Sequence, residues 1–592
     1  MRRAAMWAGV FALAAVAAGA ARWPVAPARV VESLNEAFGR SPLLTWSAPQ
    51  AATFSVFPWP SLRLVDARLD NDLGENLVSA PEARVDLSIV ALLRGQIAPA
   101  GVTLTAPTIL LDLDRTPFAG SLDPAGAALA ISRFAPLGSV SFTDAVMRVT
   151  SRKRQLDTVI KSLQGHVDGL ALGAPLSVEL SALWRDVPLT ASGSLDDPRR
   201  ATLGKPAALR VSVASSLGEF TFVGALTAGA APGAAGDLSA SSHALPQVAR
   251  LFGASRLSAT GISDIAIAGK VRIAPGDMVF DDARVTSGGQ TLQGALRLAR
   301  GDGRVTVSGS LDAGRLALAP LSGPAAALLA PDGRWSERPL PFSLPRDVDL
   351  DLRLSAGALD IYGVSFENVA ASALLKDGDL TANIVDATAY GGRWQGDLRL
   401  ISDAGFRLAM HGKLAGADVK AFGAEFGWPD VSGDANAELA VETAGRSPAE
   451  LIAGLRGRAS ISIEDGVVSG VNLEEALRRS QRRPLDLAKD MRSGGTAFER
   501  ATFNVLIADG VARLVDGALV AQGLRADLRG AVDLGDLSLR LRMDAAQSDP
   551  TGASPPGAAR LSLDINGPWA NPTVQTADQT DGDDPGSATP SP

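Results

Sequence analysis

The chain has 592 residues, 46% of them hydrophobic, a formal net charge of −8 and no cysteine. This length exceeds what one hydrophobic core usually serves, so several domains or a repetitive fold are expected. The lack of cysteine excludes disulfides, thiolate metal sites and cysteine nucleophiles, and the mild acidity argues against nucleic acid as a partner.

The first predicted element is a membrane anchor at residues 1–21. Arg2 and Arg3 precede an uncharged run from Ala4 to Ala21, which is about the minimum length for a transmembrane helix. Basic residues before such a run keep the N-terminus in the cytoplasm and send the following chain across the membrane. A signal peptide cleaved near Ala18-Gly19-Ala20 is the alternative, and the body is exported in either case.

Three helices are predicted in the body. Apolar residues recur at helical spacing in Val30–Phe38, with Gly39 as C-cap, and more weakly in Ala244–Phe252. The segment Asn472–Met491 has an N-capping residue at its start, acidic residues in its first turn and a break at Pro484.

Elsewhere, apolar and polar residues alternate with a period of two, the pattern of strands with one apolar and one wet face. The clearest cases are Arg84–Ile89, Asp347–Ser355, Leu537–Asp544 and Arg560–Asn566. Asp-Gly pairs at 302–303, 465–466, 509–510 and 516–517 are predicted turns between strands. We therefore predict a mainly β fold. An N-terminal transmembrane helix precedes an elongated, curled antiparallel β-sheet, an open groove or half-barrel, with a few short helices.

A short repeat supports this architecture. Gln293-Gly294-Ala-Leu-Arg-Leu recurs as Gln395-Gly396-Asp-Leu-Arg-Leu, with a looser copy from Gly224. Repeated strand pairs predict neighbour-on-neighbour stacking. Beyond residue 545, a linker rich in Pro, Gly and Ser, one last strand and a disordered acidic tail are expected.

The sequence contains no recognisable catalytic or metal-binding motif. His166, His243 and His411 are each isolated from carboxylates at metal-ligand spacing, and Asp112 and Asp114 fit the wet face of a strand. A basic run on the last predicted helix is interpreted as a solvated face, with anionic lipid headgroups as the alternative contact. It comprises Arg478, Arg479, Arg482 and Arg483. We predict no catalytic residue, no metal and no cofactor, and therefore no enzyme activity.

A continuous apolar strand face can itself bind a ligand. Burial of apolar groups gains roughly 0.8 kcal/mol per CH₂, or about 12 kcal/mol for a C16 acyl chain. An aliphatic groove can therefore hold lipid without specific site residues. The candidate groove residues are Val85, Leu87, Ile89, Leu104, Ile109, Leu111 and Leu113.

An ordered series of short motifs resembles the AsmA family. At the N-terminal end it comprises Val31–Arg40, Trp59–Asn71 and Ala83–Asp114. At the C-terminal end it comprises Tyr390-Gly391-Gly392, Glu450–Gly457, Ile461–Leu473, Thr496-Ala-Phe498, Gly530–Leu534 and Gly567–Pro572. The middle, about 156–380, is similar only in texture.

The resemblance implies a single-pass protein of the bacterial inner (plasma) membrane with a periplasmic body. The family is linked to outer-membrane biogenesis and to regulation of protein targeting to membranes, and its long members are similar to chorein-type bridge lipid-transfer proteins. The implied segments are an anchor (1–21), an AsmA-like N-terminal β domain (22–155), a repetitive β middle region (156–380), an AsmA-like C-terminal β domain (381–545), and a linker, last strand and tail (546–592).

Two functional hypotheses follow. In the first, the β-groove shields or transfers phospholipid in support of outer-membrane biogenesis, with acyl chains as the ligand. In the second, the protein is a non-lipid assembly factor that acts on the targeting or insertion of outer-membrane proteins.

Overall fold

The fold is described from a computed structural model of the chain. It describes all residues except 1–20, 38–43, 48, 72–75, 95–97, 115–137, 153–155, 170–173, 229–231, 252–262, 302–303, 318–327, 331, 341–343, 347, 362–363, 404, 427–430, 471, 481–493, 550–554, 556–557, 570–571 and 578–592.

The chain divides into two compact units. Unit 1 contains residues up to 254 together with 263–286 and 295–300, and unit 2 contains the remainder. The predicted segment boundaries stay predictions. Both units are built mainly of β-strands, as predicted.

The strands of unit 1 are β1 (Trp23–Val25), β2 (Leu44–Ser47), β3 (Ala51–Ser55), β4 (Ser61–Asn71), β5 (Asn76–Leu87), β6 (Pro99–Thr105), β7 (Thr108–Asp112), β8 (Ser139–Ser151), β9 (Leu156–Asp168), β10 (Leu176–Trp184), β11 (Val187–Leu195), β12 (Ala207–Ser215), β13 (Gly218–Thr227), β14 (Gly233–Ser242), β15 (Ile265–Ala274) and β16 (Asp277–Ser287). The last residue of β16, Ser287, belongs to unit 2, and the strand β17 (Gln290–Gly301) contributes residues to both units.

The strands of unit 2 are β18 (Arg304–Ala317), β19 (Val348–Ile361), β20 (Val364–Lys376), β21 (Asp379–Ala389), β22 (Gly392–Ser402), β23 (Phe406–Asp418), β24 (Val431–Gly445), β25 (Arg456–Ser469), β26 (Gly495–Ala508), β27 (Val511–Ala521), β28 (Leu524–Asp533), β29 (Ser538–Gln547), β30 (Arg560–Pro568) and β31 (Thr573–Thr576). The last predicted strand is therefore confirmed as β30.

The helices are short. They are α1 (Pro27–Ala37), α2 (Ile89–Leu93), α3 (Pro198–Thr202), α4 (Leu245–Leu251), α5 (Val419–Phe426), α6 (Pro448–Ala453) and α7 (Leu473–Ser480). The three predicted helices are present as α1, α4 and α7. The Asn472 carboxamide oxygen accepts a hydrogen bond from the Glu475 backbone N–H at 2.9 Å, which confirms the predicted N-cap. The predicted continuation of α7 from 481 lies outside the described residues.

None of the helices in the described part of the chain combines the length and apolar character needed to cross a bilayer. The predicted anchor lies outside the described residues except for Ala21.

Most strand pairs join sequence neighbours in antiparallel register, for example β9–β10, β22–β23 and β28–β29. The predicted antiparallel pairing is confirmed for most strands, but the sheet is mixed, because β8 pairs in parallel with both β6 and β7. In unit 2, β18 pairs in parallel with β19. In both cases a connection of more than twenty residues returns the chain to the same strand direction, whereas a tight hairpin would reverse it.

Left-handed residues interrupt several strands without ending them. Asp66, Asp144, Asn368 and Asp465 have φ between 50° and 58° inside β4, β8, β20 and β25. Asp and Asn tolerate this conformation better than other non-glycine residues. In β8, the buried residues on either side of Asp144 are three positions apart instead of two. The extra residue keeps the apolar side chains on one side of the sheet through the bulge.

Two of the predicted turns are wrong. Asp465-Gly466 lies within β25 and Asp516-Gly517 within β27. Asp509-Gly510 is a turn, as predicted, and 302–303 lies outside the described residues.

The repeat copies occupy β13, β17 and β22, one strand each. Gly224 lies opposite Gly236, and Gly396 lies opposite Gly412. A Cβ on Gly294 would lie 2.1 Å from the Ser310 carbonyl oxygen. The repeated glycines thus mark places where the neighbouring backbone comes too close for a side chain.

One face of the strands carries cross-strand ion pairs. The Arg148 guanidinium donates two hydrogen bonds to the Asp157 carboxylate, at 3.0 and 2.7 Å, and Arg399 pairs likewise with Asp379. These hydrogen bonds hold the pKa of the Asp157 and Asp379 carboxyls below its ordinary value. We call this charged side the outer face and the opposite, apolar side the inner face.

Helices close the inner face in one part of each unit. In unit 1, α1 packs on β2 and β3 with Val30 and Leu34 buried, and the Asn35 side chain is hydrogen-bonded to the Trp46 backbone. In unit 2, Leu473, Ala476 and Leu477 of α7 join the buried core of the last strands.

Candidate functional site

The predicted groove residues in β5 and β6 form a closed core. Val85 is fully buried, and Leu87 and Leu104 also belong to the buried core. Val85 lies opposite Leu62 of β4 and Val102 of β6, both of which are buried as well. The side chains of the folded chain itself therefore fill this part of the inner face.

The strand assignment of Ile89 is wrong, while its groove role stays a prediction. The strand β5 ends at Leu87, the Ser88 hydroxyl caps α2, and Ile89 begins that helix with 43% of its surface exposed. The alternating pattern did not reveal the Ser88 N-cap, which changes the period from strand to helix.

The remaining predicted residues belong to β7 or follow it. Ile109 lies opposite Met147 and Leu111 opposite Val149 in the parallel pair with β8, and both Ile109 and Leu111 are partly buried. Leu113 is buried beyond the end of β7. Three of the seven predicted residues, Val85, Leu87 and Leu104, thus share one closed face, and Ile109 and Leu111 line the neighbouring pair.

The structure places a more open apolar surface in β10–β15, which the prediction did not single out. A cavity of about 420 Å³ lies at one end of these strands. Its lining is apolar except for a few hydroxyls and the exposed Glu219 carboxylate, and it includes Trp184, Leu189, Val213, Phe220, Ala240, Val248 and Ile267. This volume falls within the range of ligand pockets.

The cavity results from local sequence. The chains of β10 and β11, β12 and β13, and β14 and α4 turn at this end, and Val248 of α4 lines the cavity. Trp184 donates a hydrogen bond from its indole N–H to the Thr158 hydroxyl at 2.7 Å, which orients the ring. Phe220 lies opposite Ala240, so a large side chain faces a small one and leaves space.

We name the inner side of β10–β15, with this cavity, the open apolar face. Its residues alternate as those of β5 do, but Val178, Leu209, Val211 and Phe220 are only partly buried. The sequence signal that could have indicated this open face is its mixture of small and large inward residues. Ala182, Ala191 and Gly193 lie beside Leu180 and Leu189.

Two histidines have carboxylate neighbours that the sequence did not reveal. His166 Nδ1 lies 2.7 Å from the Ser141 hydroxyl, and its Nε2 lies 2.8 Å from Asp168. His411 lies 3.3 Å from Glu438 and 3.6 Å from Asp397. Asp168 is two residues from His166 on β9, whereas strand pairing brings Asp397 and Glu438 close to His411.

The Ser141–His166–Asp168 contacts lie on the exposed outer face, about half open to solvent. A hydrolytic serine needs a water-excluded site with donors for the developing oxyanion. An open strand face offers little exclusion of water. Within the described ranges, no group of three or more His, Asp or Glu residues could hold a metal ion. The expectation that the chain is not an enzyme stays a prediction.

The other predicted polar features have local roles where they are described. Asp114 follows β7 instead of lying in it, so the strand interpretation is wrong there. Its carboxylate accepts hydrogen bonds from the Ser151 hydroxyl and the Arg152 backbone N–H at the end of β8. Arg478 forms an ion pair with Glu475 on α7, which is what a solvated helix face would show.

Comparison with known proteins gives a family match within unit 2. The AsmA family model matches residues 330–516, a range that contains β19–β26 and the first residues of β27. Searches of curated proteins and of solved structures each returned no match.

The matched range contains the motifs Tyr390-Gly391-Gly392, Glu450–Gly457 and Ile461–Leu473, on which the C-terminal resemblance largely rests. The N-terminal resemblance lies outside the match and stays a prediction. The predicted resemblance to the AsmA family is thus confirmed over residues 330–516.

Proposed function

We propose that this protein is anchored in the bacterial inner membrane by residues 4–21, with its N-terminus in the cytoplasm and its body in the periplasm. The body shields or transfers phospholipid acyl chains on its open apolar face and thereby supports outer-membrane biogenesis. AsmA family membership supports a membrane-related role, and the uncharged run from Ala4 to Ala21 supports the anchor.

The observation that carries the lipid proposal is the apolar cavity of about 420 Å³ in β10–β15. An acyl chain needs apolar walls and no specific polar partner, because its transfer from water is driven by the area removed from solvent. Apart from the exposed Glu219 side chain and a few serine hydroxyls, the lining offers apolar groups to such a chain.

A cavity-filling substitution tests this proposal with little risk to the fold. Ala240→Trp places an indole in the cavity, opposite Phe220. Ser239→Trp, one residue earlier on the exposed side of β14, is the matched control. Full-length protein is extracted, and phospholipid that stays bound through detergent exchange is quantified by mass spectrometry.

We expect wild type and Ser239→Trp to retain phospholipid and Ala240→Trp to retain much less, with equal thermal stability. Equal lipid content in all three proteins would refute the cavity as the binding place. A folded wild type without bound phospholipid would favour the assembly-factor hypothesis, which the identification of copurified outer-membrane proteins would then test.

A further inference from the structure

Exposed apolar side chains cluster at one end of the first strands of unit 1. Trp59 is 61% exposed and Leu93 is 83% exposed, and they belong to the β3–β4 loop and to α2. Val56, Phe57 and Val90 are also exposed. Such a concentration of large apolar groups is unusual on a surface that faces only water.

Strand register places these segments side by side. Ser55 lies opposite Ser61, and Ser61 lies opposite Asp86, so the β3–β4 loop and the end of β5 share one edge. The Leu87 backbone N–H donates to the Pro60 carbonyl at 2.8 Å. Within α2, Val90 and Leu93 are three residues apart and therefore lie on one side of the helix.

The chain enters unit 1 at the same end. Trp23 of β1 lies opposite Phe54, near the end of β3, and is 54% exposed. The strands β1, β3, β4 and β5 are consecutive neighbours, so three spacings of about 4.8 Å separate the first from the last. The uncharged run that begins at Ala4 ends at Ala21, two residues before Trp23.

The three segments at this end carry only positive charge, and the neighbouring Asp86 is paired with Arg84. Residues 21–25, 54–61 and 88–94 contain Arg22 and Arg94, both exposed, and no acidic residue. Aromatic rings, aliphatic side chains and arginines together are typical of protein surfaces at the boundary between lipid headgroups and acyl chains. Arginine also favours anionic headgroups.

We propose that this end of unit 1 docks on the bilayer surface, with Phe57, Trp59, Val90 and Leu93 inserted at the headgroup boundary. We name it the membrane-facing end. The inference rests on the proposed anchor, because a span that ends at Ala21 holds this end within a few residues of the lipid. The docked surface would fix the orientation of unit 1 on the membrane, which a single flexible tether would not.

The lack of cysteine makes a direct test possible. Leu93→Cys and Trp59→Cys each introduce one unique thiol at an exposed position, where the substitution removes no core contact. Val223→Cys, 45% exposed within β13, is the matched control. Each full-length protein is labelled with the fluorophore NBD and reconstituted in vesicles of phosphatidylethanolamine and phosphatidylglycerol, with and without a lipid that carries a nitroxide near its headgroup.

We expect the nitroxide lipid to quench the labels at residues 59 and 93 and to leave the label at residue 223 unchanged. Vesicles of neutral phosphatidylcholine should reduce the quenching, because Arg22 and Arg94 lose their anionic partners. Labels that fluoresce as in water would overturn the proposal. Labels that are shielded from water but not quenched would also overturn it, because they would show that protein covers this end.

The outcomes separate this inference from the proposed function. A protein that floats with the vesicles but leaves both labels unquenched would refute docking while leaving the anchor in place. A protein that does not float would refute both. Residues 59 and 93 do not line the cavity of about 420 Å³, so lipid content measured on the same variants reports independently on the lipid proposal.

Discussion

The strands β4–β6 and β10–β13 both alternate apolar and polar residues, but their inner faces differ. In β4–β6 the inner side chains, such as Leu64, Val85 and Leu104, are buried. In β10–β13 most of them are only partly buried, and a cavity opens among them. The comparison teaches that an apolar strand face predicts a surface to be covered, whereas the ligand or side chain that covers it depends on the neighbouring elements.

Replacement of one inner-face valine in each region by aspartate should give the largest difference in stability loss between the two regions. Val85→Asp places a carboxylate in a site with no exposed surface, so we expect a loss of about 4 kcal/mol or more in the free energy of unfolding. Val213→Asp, on the open apolar face, should cost about 1 kcal/mol and reduce bound phospholipid. Urea denaturation followed by circular dichroism measures both, and equal losses would contradict the distinction between closed and open faces.

Substitutions in the helices of the two regions should differ in the same direction, with the larger loss of stability on the closed face. Leu34 of α1 has no exposed surface, and Leu34→Ala should lower the free energy of unfolding by about 2–5 kcal/mol, because it leaves a cavity. Val248→Ala in α4 widens a space that is already open and should cost about 1 kcal/mol or less. Thermal denaturation compares the two, and a larger loss at Val248 would show that α4 is the more important cover.

Substitution of Asp144 at the bulge in β8 should have a smaller effect on stability. It tests how the closed face is built. Asp144 has a φ of 52° and an exposed side chain. Asp144→Val should destabilise the protein by about 1–2 kcal/mol relative to Asp144→Gly, because a β-branched residue disfavours the left-handed conformation. Unfolding midpoints of the two variants provide the test. If valine were as stable as glycine, the bulge would not depend on the left-handed residue.

An ion pair on the outer face should contribute least to the free energy of unfolding. The hydrogen bonds from Arg148 lower the pKa of the Asp157 carboxyl, so the pair stabilises the folded state at pH values above the ordinary pKa of 3.8. That contribution falls as the pH drops through the lowered pKa of the folded state, because protonation then breaks the pair. Asp157→Asn should differ slightly from wild type at pH 7 and converge with it in acid, since exposed pairs contribute little. A difference that grows toward low pH would reverse this sign.

The elements were largely predictable, because their signals are local. Strands such as β29 and β30 follow from alternation, and α7 follows from Asn472 and the acidic residues after it. The bulges were harder to predict, because Asp465-Gly466 has the composition of a hairpin turn and lies instead inside β25. Around Asp144, Asn368 and Asp465 an apolar residue is followed by two polar residues, the second of them Asp or Asn, and then by a small or β-branched residue. Asp66 departs from this pattern, because the apolar Val65 precedes it.

The groove residues stay predictions, but the apolar strand face on which they were placed is present. The choice of Val85, Leu87 and Leu104 identified an apolar face correctly, yet the covering residues come from segments distant in sequence, such as Leu62 of β4. Ile89 was misassigned because one hydroxyl, that of Ser88, starts a helix.

By itself, the sequence determined the strand-rich class, the two chemically different faces of the strands and the resemblance to the AsmA family. These depend on the order and period of side chains along the chain. The tertiary structure alone decided which part of the inner face is filled, where β8 pairs in parallel, and which exposed residues gather at the membrane-facing end. These depend on strand register and on packing between residues far apart in sequence, which a period of two leaves undetermined.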